Sequence, residues 1–370
     1  MAEITDEDGD PCEDVLLLSQ WVVETLTEII QIREFDIKAV NFSAYGASLV
    51  YINERGKVIA PLYSYLKSYP GKLKDEFYKK YGGAEKISCE TASPVLGSLN
   101  SGMQLYRIMR EKPALYHQIK YALHLPQYIS YIITQQPYSD ITSLGSHTQL
   151  WDYQKSSYHL WVTSEGINEK LAPILPSDTT IEIFFADKKI KAGTGLHDSS
   201  AALIPYLAVF KEPFVLISTG TWCISLNPFN NSPLTIEELK QDCLCYLEYN
   251  GSPVKASRLF AGNEHEQQVK RIARHFNKQD DFYKTIKYNQ GIITSLKKTL
   301  KFYSNPGVGV NQSNFNHRDL VEFASCEEAY HCLMLDIMQQ QMLSAQIVIH
   351  HSDVKRIFVD GGFSNNSIYM

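Results

Sequence analysis

Three short segments gather residue types that could do chemistry. In Gly193-Thr194-Gly195-Leu196-His197-Asp198-Ser199-Ser200, the Asp198 carboxylate stands where a loop gives way to a helix. There it can cap the helix, or it can take a proton from a substrate hydroxyl as a general base, with His197 beside it. The two glycines lack the third that a dinucleotide fingerprint requires, because His197 and Asp198 follow instead. In Ser218-Thr219-Gly220-Thr221, a glycine flanked by hydroxyl residues sits between two apolar runs. Such a turn can be a plain β-turn, or its backbone N–H groups and hydroxyls can cradle phosphate oxygens. In Asp360-Gly361-Gly362-Phe363-Ser364-Asn365-Asn366, twin glycines follow an apolar run. They can end a strand, or they can let the backbone approach a planar ligand whose polar edge Asn365 reads.

The elements that must position these segments can be read from periodicity. Phe214-Val215-Leu216-Ile217 is a continuous apolar run, as in a strand buried on both faces, and Trp222 to Leu226 returns as a second strand. Arg356 to Val359 is a strand leading into the twin glycines, and Ser199 to Leu207 is helical. Arg318 to His351 is a long helical region with bulky apolar spacing. Nearer the start, Asp10-Pro11-Cys12-Glu13 predicts a helix start with Asp10 as the cap, and Ile37 to Ser43 predicts a strand. Asn53-Glu54-Arg55-Gly56 predicts a hairpin turn, and residues 71–135 a mostly helical stretch broken at Gly82-Gly83, Pro94 and Pro113. Within that stretch, the uncharged run Tyr121 to Tyr138 holds His124, Pro126 and several Gln, which predicts a core helix rather than a membrane span. The seven acids in the first 14 residues read as a solvated entry segment.

Composition excludes several classes. The 370 residues are long enough for two cores. With 44% hydrophobic and 21% charged residues the chain is not disordered, and a net charge of −6 argues against a nucleic-acid or polybasic membrane binder. Seven cysteines, an odd number without zinc spacing, read as reduced thiols in a cytoplasm. There is no P-loop, no nucleophile elbow and no zinc-protease motif.

Taken in order, the His-Asp-Ser-Ser-Ala-Ala segment, the strand-Ser-Thr-Gly-Thr-Trp-strand turn and the strand-Asp-Gly-Gly-Phe-Ser-x-Asn loop resemble the FGGY family of carbohydrate kinases. The rhamnulokinase and L-fuculokinase branch is the nearest look. The resemblance implies an α/β, two-domain actin-like ATPase (ribonuclease H-like) architecture. Residues 1–208 would be the sugar-binding domain, lacking the first phosphate loop and so incomplete at its start. Residues 209–370 would be the nucleotide-binding domain, incomplete at its end. An Asp-x-Gly-Thr hairpin would then be expected upstream of this chain.

Carried over residue by residue, the resemblance makes Asp198 the catalytic base and His197 its neighbour. Ser218, Thr219, Gly220 and Thr221 become the nucleotide's phosphate turn, and Gly361, Gly362 and Asn365 the adenosine loop. Tyr45, Gly46 and Ser48, in Ala44-Tyr45-Gly46-Ala47-Ser48, fall where the family lines its sugar pocket. Thr142 to Asp152 resembles the family's Thr/Ser-rich stretch. Where the family often has Tyr-x-Asp-x-Arg, this chain has Tyr65-Leu66-Lys67-Ser68-Tyr69. The resemblance also implies ATP and Mg²⁺ as cofactors, with no direct protein metal ligand, and a small-molecule sugar as partner, with room for a homodimer. Transfer of the γ-phosphoryl group to a ketose-type sugar would be the activity. A non-catalytic sugar- or nucleotide-binding relative is the alternative, with a chaperone-type ATPase and a Ser199/His197 hydrolase as more distant ones.

Overall fold

The computed structural model describes residues 3–299 and 315–370. The chain divides into two compact units. The first holds Met1–Val209, Leu234–Leu239 and Leu244–Pro253; the second holds Phe210–Pro233, Lys240–Cys243 and Val254–Met370.

The acidic start of the first unit is not a solvated lead-in. Glu3–Thr5 and Pro11–Glu13 form an antiparallel hairpin, and the second strand pairs with Leu62–Tyr63 through Cys12↔Tyr63 and Glu13↔Leu62. At the hairpin tip, Asp6 Oδ1 accepts the amides of Asp8 at 2.9 Å and Asp10 at 3.0 Å. The Lys67 ammonium docks among Asp6, Asp8 (2.7 Å) and Asp10 (3.0 Å). Burial opposes its charge, yet these carboxylates hold its pKa above the ordinary lysine value. Because Pro11 to Glu13 is committed to strand pairing, Asp10 is not the helix cap. Asp14 is: it accepts from the Leu16 and Leu17 amides at 3.0 Å each and starts the helix Val15–Gln31. That helix buries Val15, Leu18, Val22, Leu26 and Ile30, one apolar stripe of helical period.

The expected strand over 37–43 is two short ones. Ala39–Val40 runs parallel to Lys191-Ala192, and Ser43–Ala44 runs parallel to Leu196–His197. Between them the Asn41 side chain takes over the ladder's role and accepts the Gly195 amide at 3.0 Å. The turn Asn53 to Gly56 closes as expected, Gly56 donating to the Asn53 carbonyl at 2.8 Å, but only an isolated bridge follows at Ile52↔Val58. The main partner of Leu49–Ile52 is Tyr121–His124, so the uncharged run begins as a buried strand. It becomes the helix Leu125–Thr134 at Pro126, which is favoured in a first turn.

In the second unit the apolar strand Phe214–Thr219 runs parallel to Arg356–Gly361 and antiparallel to Cys223–Asn227, which in turn pairs with Pro253–Leu259. Phe214 to Leu216 are fully buried, each such side chain being worth about 1.5–3 kcal/mol. The helix Ala261–His275 buries Ala261, His265, Val269 and Ile272 against Tyr330, Leu333 and Ile337 of the helix Cys326–Ile349. The latter starts later than Arg318 because Ser325 caps it, its hydroxyl accepting the Glu328 amide at 3.1 Å. Arg318 instead forms a buried two-point ion pair with Asp336, at 2.6 and 2.8 Å. Among the described residues no helix is long and apolar enough to cross a membrane, and all seven cysteines are free thiols.

Candidate functional site

In the second unit, two of the three segments meet because of strand register. Parallel pairing sets Thr219 opposite Gly361. The Thr219 hydroxyl donates to the Asp360 carbonyl at 2.5 Å and accepts the Phe363 amide at 3.0 Å. It is the tie between the turn and the twin-glycine loop, so its hydroxyl is already committed. Gly361 has φ +84°, and a Cβ there would lie 2.0 Å from the Thr219 carbonyl oxygen, so only glycine fits.

The helix Ala261–His275 backs the turn. A Cβ at Gly262 would fall 1.9 Å from the Gly220 carbonyl oxygen, and the Asn263 amide donates to the Thr221 carbonyl at 3.2 Å. Together these segments line a cavity of about 520 Å³. Its walls carry Thr219, Gly220, Thr221, Gly362 and Asn365, with Lys284 and Lys287 at another side. Ser218 and Gly361 do not line it: Ser218 pairs with Ile224 and with Asp360 in the ladder, and Gly361 with Thr219. Gly220, Gly362 and Asn365 are exposed to the cavity, offering backbone and amide groups with no side chain in the way.

An aromatic wall closes the cavity. The His265 ring lies 4.9 Å from Tyr283 and 5.3 Å from Phe363. Its Nε2 shares a hydrogen bond with the Tyr330 hydroxyl at 3.0 Å, and Asn366 donates to that hydroxyl at 2.7 Å. Burial drives the His265 pKa down to about 4, so the ring is neutral at pH 7. Gly262 and His265 were not singled out from the sequence. The signal available was Ala261-Gly262-Asn263, a glycine in the first helical turn directly after a strand.

In the first unit, Asp198 opens the helix Asp198–Val209, and its Oδ1 accepts the Ser199 amide at 2.6 Å. The side chain is 53% exposed. His197 is buried, with Nδ1 3.4 Å from Asp198 Oδ1, close enough for attraction but outside hydrogen-bond geometry. Burial holds the imidazole pKa below its ordinary value, against the opposing pull of Asp198 and Asp140.

A buried carboxylate that the sequence reading passed over builds this corner. Asp140 Oδ1 accepts the Thr142 amide at 2.8 Å and the Thr142 hydroxyl, and its Oδ2 accepts Ser177 Oγ at 2.6 Å and Thr194 Oγ1 at 3.3 Å. Thr142 Oγ1 then takes the His197 amide at 3.0 Å. Asp152, at the end of the Thr/Ser-rich stretch, is spent on a turn with the Gln154 and Lys155 amides.

Gly46 fits because a Cβ would lie 2.6 Å from His197 Cδ2. Tyr45 meets Tyr65 edge-on, with ring centroids 5.4 Å apart, and the Ser48 hydroxyl is turned inward, donating to the Tyr63 carbonyl at 2.8 Å. Burial first, then the Glu13 carboxylate, keeps the Tyr45 phenol protonated. Tyr65 is raised likewise, by burial and then by Glu13 and Asp198.

Comparison with known proteins adds the fold. Residues 211–370 match the family described as carbohydrate kinase FGGY, C-terminal domain. Among curated proteins, none matches. A carbohydrate kinase from Novosphingobium aromaticivorans aligns over 100% of this chain and 80% of its own, with TM-score 0.74 and 20% identity. Ligand-bound xylulose kinase from Lactobacillus acidophilus aligns over 100% and 76%, with TM-score 0.74 and 16% identity. Gluconate kinase from Lactobacillus acidophilus aligns over 100% and 76%, with TM-score 0.75 and 15% identity. The fold is therefore the two-domain α/β architecture of actin-like ATPases.

Proposed function

We propose that this chain is an ATP-dependent carbohydrate kinase that transfers the γ-phosphoryl group to a hydroxyl of a ketose-type sugar, with the first unit holding the sugar and the second the nucleotide. One observation supports the reading: the Thr219↔Gly361 register, which brings the Ser218–Thr221 turn and the twin-glycine loop to one cavity. The family match over 211–370 supports the same assignment. The His197-Asp198-Ser199-Ser200 segment and the Trp222 that follows the turn support the rhamnulokinase and L-fuculokinase branch. The free thiols support a cytoplasmic setting.

In the reaction the acceptor oxygen attacks the γ-phosphorus. The acceptor O–H proton passes to Asp198, the bond between the γ-phosphorus and its bridging oxygen breaks, and ADP leaves with the electron pair. The half-exposed carboxylate of Asp198 keeps one oxygen bound to the Ser199 amide, which fixes its rotamer and leaves the other oxygen to take the proton. The open backbone at Gly220 and Gly362 accommodates phosphate and ribose, and Asn365 the base edge. A hard divalent cation, held by phosphate oxygens and water with no direct protein ligand assigned, would neutralise phosphate charge when bound.

The test is ADP release with a panel of ketoses. Asp198→Asn is expected to lower kcat by about 10²–10⁴-fold, while ATP-induced thermal stabilisation stays within a few-fold of wild type. Unchanged turnover removes Asp198 from the mechanism. A second reading, a non-catalytic sugar- or nucleotide-binding relative, is favoured by Lys67, which stands in the family's Asp/Arg stretch and is fully engaged by Asp6, Asp8 and Asp10. Sugar-dependent stabilisation without ADP release would select it.

A further inference from the structure

Glu13 lies on the strand Pro11–Glu13, directly opposite Leu62 and three residues short of Tyr65 in the partner segment. Its Oε2 is closed off from solvent and has no hydrogen-bond partner. The strand Ser43–Ala44 is paired with Leu196–His197, so Tyr45 and Asp198 emerge from adjacent strand ends. Tyr45 and Tyr65 touch edge to face at 5.4 Å; the Tyr45 phenol lies within hydrogen-bonding reach of the Glu13 carboxylate, whose Oε2 is left over, and the Tyr65 phenol feels both Glu13 and Asp198. His197, 3% exposed, brings a second unpartnered polar atom: its Nδ1 stands 3.4 Å from Asp198 without a hydrogen bond. Four backbone segments thus converge on two carboxylates, two phenols and an imidazole. Among the described residues no lysine or arginine pairs with Glu13 or Asp198.

Resting on the kinase reading above, we infer that Glu13 is a substrate-binding and specificity residue, accepting a sugar hydroxyl beside Asp198, and that the acceptor is an uncharged polyhydroxy compound rather than a sugar acid. A buried carboxylate oxygen without a partner is costly unless a ligand donates to it. A polyol supplies such donors, and the Tyr45 and Tyr65 rings supply the apolar faces on which its C–H groups rest. A carboxylate-bearing acceptor would meet two like charges with no cation to offset them, a penalty of about a hundredfold or more in affinity at an effective dielectric near 20. In this chain a carboxylate from the first hairpin does what the Asp and Arg positions after Tyr65 cannot, since Lys67 is taken by the hairpin tip and Tyr69 carries no charge.

The experiment uses the full chain with ATP and, as acceptors, xylulose, glycerol and gluconate. For wild type, the better neutral acceptor should exceed gluconate about a hundredfold in kcat/KM. Glu13→Gln should raise KM for that acceptor about tenfold, with kcat within threefold, the KM for ATP unchanged and the disadvantage of gluconate about tenfold smaller. Tyr65→Phe, which keeps the ring, should raise the same KM severalfold and guards against a Glu13 variant that does not fold. Gluconate equal to the neutral acceptors, or a Glu13→Gln KM unchanged in a folded protein, overturns the inference while the kinase reading stands. Should no acceptor be phosphorylated, yet xylulose or glycerol raise the Tm of wild type and not of Glu13→Gln, the kinase reading falls and Glu13 keeps its role. Neither phosphorylation nor stabilisation sinks both.

Discussion

The two candidate regions are built by different means. In the second unit the cavity is made by backbone: strand register sets Thr219 against Gly361, and Gly262 presses on Gly220 with no room for a Cβ. In the first unit the cluster around Asp198 is made by side chains: Asp140 orders Thr142 and Thr194, Gly46 abuts an imidazole, and Glu13 comes in from the first hairpin. A backbone-built site binds what is common to many reactions, and the identity of its residues is set by sterics. A side-chain-built site can be retuned one residue at a time, and here the sequence leaves the Tyr-x-Asp-x-Arg pattern.

The largest expected effect tests that contrast directly. Gly361→Ala forces a side chain onto φ +84° and 2.0 Å from a carbonyl oxygen that cannot move without breaking the ladder. It should cost about 4 kcal/mol and abolish nucleotide-dependent stabilisation. Gly46→Ala meets only a ring carbon at 2.6 Å, and rings can rotate, so it should cost about 1–2 kcal/mol and act on the sugar alone. Hydrogen exchange at the Phe363 and His197 amides, each bonded to a threonine hydroxyl in its own unit, reads the two separately. Equal losses would erase the distinction.

The pH response sharpens it next. His265 is held at about 4 by burial, with Glu266 pulling the other way, against an ordinary value of 6.5. The unfolded chain therefore binds a proton that the folded one refuses. This contribution is complete above pH 6.5 and falls away between 6.5 and 4, by about 3 kcal/mol. His265→Phe should cost about 1 kcal/mol at pH 7 through the lost Tyr330 bond, and it should flatten the slope at the Phe363 amide. The slope at the His197 amide should persist, because His197 and His124 are also held low by burial.

What the sequence made legible follows the same division. The buried strand at Phe214, the turn after it and the twin glycines could be read because apolar continuity and glycine are local signals. Gly262 could not, because its demand comes from Gly220, 42 residues away, meeting it across the fold. Asp10 rather than Asp14 looked like the helix cap because the local pattern Asp-Pro-x-Glu is complete, and only the pairing of Cys12 with Tyr63 overrides it. Asp140 escaped notice, and Glu13 was read only as part of that helix start, for a related reason: both acquire their meaning from partners brought by long-range pairing.

A smaller effect separates charge from packing within the first unit. Lys67→Met leaves Asp6, Asp8 and Asp10 facing one another. Asp6 has no exposed side-chain surface, but Asp8 and Asp10 are nearly half-exposed, so the cost should be about 2 kcal/mol, less than for a deep pair. Although burial opposes it, Lys67 and the Asp8 and Asp10 amides hold the Asp6 pKa below 3.8. The hairpin's contribution is then complete above that value and is lost only as pH falls through the lower folded one. Exchange at the Asp8 and Asp10 amides should loosen in Lys67→Met at pH 7 and, in wild type, only in strong acid.

The smallest effect concerns the residue with the largest proposed role. Asp198 is half-exposed, and its one close hydrogen bond is to the amide next to it in sequence. Asp198→Asn keeps an oxygen for that amide and gives up a charge at a helix start, so it should change stability by about 0.5 kcal/mol or less. Thr219→Val, which removes a hydroxyl bonded on both sides, should cost about 1–2 kcal/mol. Chemical denaturation of the two variants, followed at the His197 and Phe363 amides, tests the ordering. If Asp198→Asn proved the more damaging to stability, the carboxylate would be a structural cap, and its loss could no longer be read as loss of a base.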